Sequence, residues 1–303
     1  MELSERSSAI ASPLDWTLPK VSRRRRIWRI VRDNPLGMIG LAIVVALVVV
    51  AIFAPLLAPY SPKEIARTRA TILLNPSASH PFGTDALGRD MLSRVIYGAR
   101  ISLMVGLLSV VFGTLVGTVI GIVAGYVGGI VDALISRIVD MAIAFPALLL
   151  LLILRQVMGP SAQTLIVAIG IAIIPGVSRV VRGEVVSQRN NQYVEAAITL
   201  GATTPRVLFI HIAPNVAALA IIVMTSLLGT AVLAEAALSF LGLGIPSSVT
   251  WGGDVNAARI AAHTTIAWAF FPGAAIALTV LGFSLFGDAL RDIADPRLRS
   301  QRQ

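Results

Sequence analysis

The feature that most constrains this chain is the recurrence of uninterrupted apolar runs, each about as long as a bilayer is thick. The first covers residues 36–58, and others follow near 101–124, 138–154, 164–181, 213–240 and 264–287. A hydrocarbon core about 30 Å thick takes about 20 apolar residues of helix, a structure that satisfies its own backbone hydrogen bonds. The ten-residue alternation of a membrane β-barrel is absent. Charged residues make up 14% of the chain and hydrophobic ones 56%, whereas soluble domains carry roughly 25% charged residues. The expectation is therefore an all-α integral membrane protein with six transmembrane helices. The first run is too long, and too far from the start, for a signal peptide, so it is read as a retained helix that exits at Pro55 and Pro59.

The formal net charge is +9, and most of it lies at the borders of the apolar runs. Arg23 to Arg26, Arg29 and Arg32 precede the first run, which by the positive-inside rule places the amino end in the cytoplasm. Six spans return the carboxyl end to the same side, with Arg291, Arg297, Arg299 and Arg302, and bring Arg179, Arg182, Arg189 and Arg206 there as well. The segment 60–100 runs against this pattern. It falls outside while carrying Lys63, Arg67, Arg69, Arg89, Arg94 and Arg100, which Glu64, Asp85 and Asp90 offset only in part.

Much chemistry is excluded. The only lysines, Lys20 and Lys63, lie outside any GxxxxGK[ST] pattern, and neither HExxH nor GxSxG occurs. There is no cysteine, and His80, His211 and His263 are far apart. No catalytic residue and no metal site is expected, and the chain reads as a non-enzyme. Two carboxylates near or within spans are candidate pathway or structural charges, because an ionisable group in a bilayer is costly. Asp140 follows Arg137 by three residues and is read as its partner near the interface. Glu235 is expected in the outer part of the fifth span, snorkelling or paired with a neighbour. These two carboxylates also motivate the rival reading, a secondary transporter driven by an ion gradient. Gly113, Gly117, Gly121 and Gly125 recur every four residues and form a flat ridge for close helix packing, expected within the chain itself.

The polar stretch 193–214, YVEAAITLGATTPRVLFIHIAP, lies between two apolar runs. Val194, Ala197, Ile198 and Gly201 share one face of a short helix, and Gly201 permits a turn with φ > 0. Pro205 suits the first turn of a second helix with Val207, Leu208 and Ile210 on its apolar face, and Pro214 redirects the chain into the next span. By pattern alone, an ordinary amphipathic segment lying in the membrane interface fits equally well.

Glu195-Ala196-Ala197, then Gly201, then Ile212-Ala213-Pro214 resembles the EAA loop of ABC-importer permeases. Three further blocks extend the resemblance. They are His80 to Asp85 with Leu87-Gly88-Arg89-Asp90 and Tyr97 to Arg100; Leu238 to Gly244 with Trp251-Gly252; and Phe271-Pro272-Gly273 with Gly287 to Asp292. With NPLGMIGLAI, these are similar to the C-type permease of dipeptide, oligopeptide and nickel importers over nearly the whole chain. The resemblance implies a type I ABC-importer permease fold with a cytoplasmic coupling loop, in which Glu195, Ala196, Ala197, Gly201, Ile212 and Pro214 occupy the matching positions. It also implies a multi-pass protein of a bacterial or archaeal inner membrane that takes no cofactor of its own. Its partners would be a homologous B-type permease, two ABC ATPase subunits that bind ATP and Mg, an extracytoplasmic substrate-binding protein and membrane lipid, with no nucleic acid. Peptides are the first expectation for cargo, with nickel chelates and glutathione behind. Ala213 departs from the more usual Leu, which would loosen the second half of the loop. The expected organisation is a basic cytoplasmic tail over 1–34, a first helix and extracytoplasmic loop over 35–97, a permease domain over 98–292 and a cytoplasmic tail over 293–303.

Overall fold

The structure, a computed structural model, describes residues 34–65, 72–260 and 267–294. The basic tail before residue 34, the tail after 294 and His263 lie outside them. By its contacts the chain divides after Pro35, and the architecture given below is that of the unit starting at Leu36. Among its described residues the regular secondary structure is helical, with one isolated bridge between Thr84 and Asp90.

The helices are α1 (Pro35–Ile52), α2 (Met91–Val127), α3 (Gly129–Ala144), α4 (Ala147–Met158), α5 (Ala162–Arg189), α6 (Gln192–Thr199), α7 (Thr204–Leu243), α8 (Trp251–Ile260) and α9 (Ala267–Ala294). Five of them, α1, α2, α5, α7 and α9, are each long and apolar enough to cross a membrane. The sixth expected span, 138–154, is not one straight helix. α3 and α4 meet at 93° around Phe145 and Pro146, where proline removes a backbone donor and disfavours a helical residue before it. Counted as one broken span, the pair completes six.

The glycine ridge of α2 lies against α5 of the same chain. A Cβ added at Gly113 would stand 2.6 Å from the Gly170 carbonyl oxygen, one at Gly117 2.8 Å from Val177 Cβ, one at Gly121 2.7 Å from the Ser178 carbonyl oxygen and one at Gly125 2.8 Å from Val185 Cβ. Only hydrogen fits at these four positions, so the two backbones run side by side over about three turns. α1 packs on α9 in a similar way, with Gly40 facing the Phe286 backbone and Gly282 facing Ile43.

Two apolar clusters hold the bundle. One joins Val105, Leu151, Leu165, Ile169, Leu228, Leu238 and Phe283 from α2, α4, α5, α7 and α9. The other joins Val177, Val181, Val185, Val194, Val207, Ile212 and Val216, so that α6 and the start of α7 are pinned to the end of α5. Fully burying such side chains stabilises by about 1.5–3 kcal/mol each.

Candidate functional site

The stretch 193–214 folds as a helix, a tight turn and the beginning of a second helix. α6 ends in a Schellman motif: the Ala202 N–H donates to the Ala197 carbonyl at 3.0 Å and the Gly201 N–H to the Ile198 carbonyl at 2.9 Å. Gly201 has φ +83 and nothing within 4 Å of a Cβ built on it, so the glycine is required by backbone conformation and not by crowding. Thr204, Pro205 and Arg206 form the first turn of α7, with Pro205 where its missing N–H costs nothing.

Two expectations change here. Val207–Ile212 is a π-helical segment, not an α-helical one. With the wider turn, Val207 and Ile212, five residues apart, are both buried, while Ile210 is exposed. Pro214 does not redirect the chain, because α7 runs on from Thr204 to Leu243. Proline lacks the donor that an α-helical ladder would need there, and the widened turn just before it absorbs that loss.

The result is a two-faced element. Val194, Val207 and Ile212 are fully buried, and Glu195 and Ala196 are exposed while Ala197 is partly buried. Ile198 is exposed as well, against the face expected for it, together with Leu200 at 88%, Phe209 at 71% and Ile210. At the base, Gln188 Oε1 accepts from Tyr193 Oη at 2.5 Å and from Asn191 Nδ2 at 3.1 Å, tying α5 to α6.

At the other end of the bundle the residues between 72 and 94 form a hydrogen-bonded cap. Asp85 accepts from the backbone N–H of Leu87 and of Arg89, both at 2.9 Å, and from Arg89 Nε at 2.6 Å. Asp90 caps α2, accepting from the Ser93 N–H at 2.8 Å, and meets His80 Nδ1 at 2.9 Å. Arg94 reaches across to Asp254 on α8 with Nε at 2.9 Å and donates to the Pro62 carbonyl at 3.0 Å. Trp251 Nε1 donates to the Val95 carbonyl at 2.9 Å. Arg89 and Arg94, two of the cations that opposed the positive-inside reading, are thus committed to carboxylates.

Glu235 does not snorkel. It is fully buried and accepts from Ser102 Oγ at 3.0 Å and Ser239 Oγ at 2.6 Å, joining α2 to the end of α7. Asp140 is bound to Arg179 of α5, not to Arg137, and Asp132 to Arg182, with Nη2 to Oδ2 at 2.6 Å. The sequence reading missed Arg155. It is buried at the end of α4 and donates to the carbonyls of Leu243 at 2.7 Å and Gly244 at 2.6 Å and to Thr164 Oγ1 at 2.8 Å. It also bonds the Gly159 carbonyl, so one cation joins the ends of α4 and α7 to the start of α5. Its position straight after the eight apolar residues Ala147 to Leu154 was the available signal. Among the described residues no group of His, Cys, Asp and Glu is arranged to hold a metal ion.

Residues 117–300 match the family of binding-protein-dependent transport system inner membrane components. Residues 22–76 match the N-terminal transmembrane domain of oligopeptide transport permease C. The chain is 41% identical over 281 residues to the dipeptide transport system permease protein of Alkalihalophilus pseudofirmus, covering 92% of each chain. It is 41% identical over 273 residues to the oligopeptide transport system permease protein of Bacillus subtilis, covering 88% of each. It is also 41% identical over 280 residues to the glutathione transport system permease protein of Salmonella typhimurium, covering 91% of each.

Proposed function

This chain belongs to the family of binding-protein-dependent transport system inner membrane components, as an ABC-importer permease of the dipeptide and oligopeptide type, and we propose that its 193–214 loop is the handle by which ATP hydrolysed elsewhere moves the transport pathway. The observation that carries the proposal is the two-faced loop. Val194, Val207 and Ile212 anchor it in the valine cluster of α5 and α7, while Ile198, Leu200, Phe209 and Ile210 project away from the bundle. An exposed apolar knob beside Glu195 suits the groove of a partner protein, and a side chain as bare as Leu200 gains most from being covered.

The partners are a second, homologous permease, two ABC ATPases that bind ATP and Mg, and an extracytoplasmic substrate-binding protein. Closing of the ATPases displaces α6 and the first turns of α7. α7 runs as far as Leu241 before Gly242 takes a left-handed conformation (φ +83), so the displacement is carried along the helix to Glu235 and Ser239, next to the Arg155 junction. The relatives' names point to dipeptides, oligopeptides or glutathione as the cargo class. Both termini and the 193–214 loop lie in the cytoplasm, and residues 60–100 form the outer cap. That placement is supported by Arg89 and Arg94 being engaged with Asp85 and Asp254, which removes them from the balance of free charge. The proposed organisation is a tail over 1–34, an anchor helix and cap over 35–97, the permease domain over 98–292 and a tail over 293–303.

The test is ATPase activity of the assembled transporter in proteoliposomes. Replacing Glu195 and Gly201 together is expected to leave membrane insertion and basal turnover intact while substrate no longer stimulates hydrolysis. Normal stimulation in that variant would refute the assignment.

A further inference from the structure

α2 and α5 run in register, so depth in the bilayer can be read from one to the other. Gly113 meets Ile173 and Gly121 meets Val181, and Gly113 is at the middle of the apolar run 101–124. Arg179 lies six residues past Ile173, or about 9 Å at 1.5 Å per residue. The half-thickness of the hydrocarbon is about 15 Å, so Arg179 lies within it. Asp140, bound to Arg179, is held at the same level. Both side chains are 53% exposed in the isolated chain. On α2 at that depth the exposed side chains are Leu115, Val119 and Val123, all apolar.

An exposed carboxylate at this depth is incompatible with lipid, because aspartate is too short to snorkel out. A second feature on the same helix agrees. α3 breaks at Phe145 and Pro146, five to six residues beyond Asp140 and farther from the cytoplasmic end. The break leaves the last carbonyls of α3 and the first N–H groups of α4 without helical partners. Residues 143–149 around it are all exposed. Unpaired backbone at membrane depth is tolerated only against protein or water. Between Asp140 and the cytoplasmic end a cavity of about 180 Å³ is lined by Ser136, Asp140, Ser178, Arg179 and Arg182.

We propose that the face shared by α3 and α5 is a water-filled wall of the translocation pathway, and that Asp140 and Arg179 are its charged contact for solutes bearing both an ammonium and a carboxylate. The proposal rests on the chain being a permease and names the part of it that meets cargo. With the pathway empty, the two side chains satisfy each other. A solute carrying both charges opens the pair and satisfies each half, so neither charge loses its partner. A solute with one charge can replace only one half of the pair and an uncharged one neither, so the pair stays closed to them. Asp132 and Arg182, nearer the cytoplasmic end and less exposed, hold α3 on α5 while the outer pair opens.

The natural chain has no cysteine, so single cysteines can be read without background. Ser136→Cys and Ala144→Cys flank Asp140 by one turn on each side, and Val119→Cys on α2 is the lipid-facing control. Each variant is first shown to copurify with its partner permease and ATPases. The assembled transporter in inverted membrane vesicles is then treated with an anionic, water-soluble methanethiosulfonate. Both α3 positions are expected to react about tenfold faster than position 119, since thiol attack needs water. Reaction in the isolated chain but not in the assembled transporter would make this face a subunit interface and overturn the proposal. Control-level rates in both would make it a lipid face and overturn it equally.

With ATP and the binding protein present, Ala-Ala is expected to slow labelling of Ser136→Cys several-fold, and doubly blocked N-acetyl-alaninamide is not. Equal slowing by both, or by neither, would remove the assignment to doubly charged solutes. Labelling rates do not depend on whether the 193–214 loop couples, so a failure here is separable from a failure there.

Discussion

Replacing Gly121 by alanine tests the close approach of α2 and α5. The added carbon would stand 2.7 Å from the Ser178 carbonyl oxygen and 2.8 Å from Val181 Cβ and Cγ1, where ordinary contacts between carbons lie at about 3.5–4.0 Å. α2 and α5 must therefore separate by up to about 1 Å, and a gap of 0.5–1 Å already forfeits about a quarter to a half of each dispersion contact along the ridge. Overpacking of this kind costs about 1–3 kcal/mol. Alanine also gains about 1 kcal/mol over glycine within a helix, which would mask part of the loss. Gly176→Ala on α5 removes that ambiguity. It sits mid-helix on an exposed face of α5 with nothing within 4 Å of a new Cβ, so it carries the propensity gain without the collision. The difference between the two variants isolates the clash at about 1–3 kcal/mol, or roughly 3–10 °C in the Tm of the purified transporter in detergent. Equal Tm values for the two would show that the ridge does not set the distance between α2 and α5.

Three further outcomes follow from named contacts. Gly201→Val should sharply lower substrate-stimulated ATP hydrolysis, with Gly201→Asn the mildest change and Gly201→Ala between them. A left-handed φ costs an L-residue about 1–2 kcal/mol, and asparagine bears it best; equal activities would mean the turn is not needed. Arg94→Ala strands the buried Asp254 carboxylate and should cost about 3–5 kcal/mol of stability, read as a large fall in Tm. An unchanged Tm would sink that reading of the cap. Glu235→Gln keeps an acceptor for one of the two serine hydroxyls and offers its amide N–H to the oxygen of the other, so it should preserve uptake, whereas Glu235→Ala leaves both hydroxyls without a partner at about 1–3 kcal/mol each. Loss of uptake in the glutamine variant, with the protein still folded, would point instead to a proton relay.

Much of the fold was legible because bilayer chemistry leaves few options. Five of the six apolar runs each contain a single spanning helix, and the turn at Gly201 and the start at Pro205 followed from backbone rules alone. The break inside the 138–154 span was not read because AFPALLLLL is apolar from end to end, and hydropathy outweighed the signal of Pro146. The exposure of Ile210 was missed for a different reason: a period of 3.6 was assumed where the segment before Pro214 is π-helical, which places Val207 and Ile212 on the buried side. Ile198 lies in the α-helix α6, and nothing in the structure explains its exposure. Asp140 was assigned to Arg137 because local pairs are visible in a sequence, whereas its bond to Arg179 depends on how α3 crosses α5. The Arg94–Asp254 pair spans 160 residues and had no local signal at all.

If the loop after α5 is gripped by a separate ATPase, then Leu200, exposed and next to the turn, lies at the contact. Leu200→Cys in an otherwise cysteine-free chain, carrying a short photoactivated cross-linker in the assembled transporter, is predicted to capture an ATPase subunit, with a yield that changes when ATP is bound. Capture of lipid alone, or labelling of that cysteine from the extracellular side of intact cells, would contradict it.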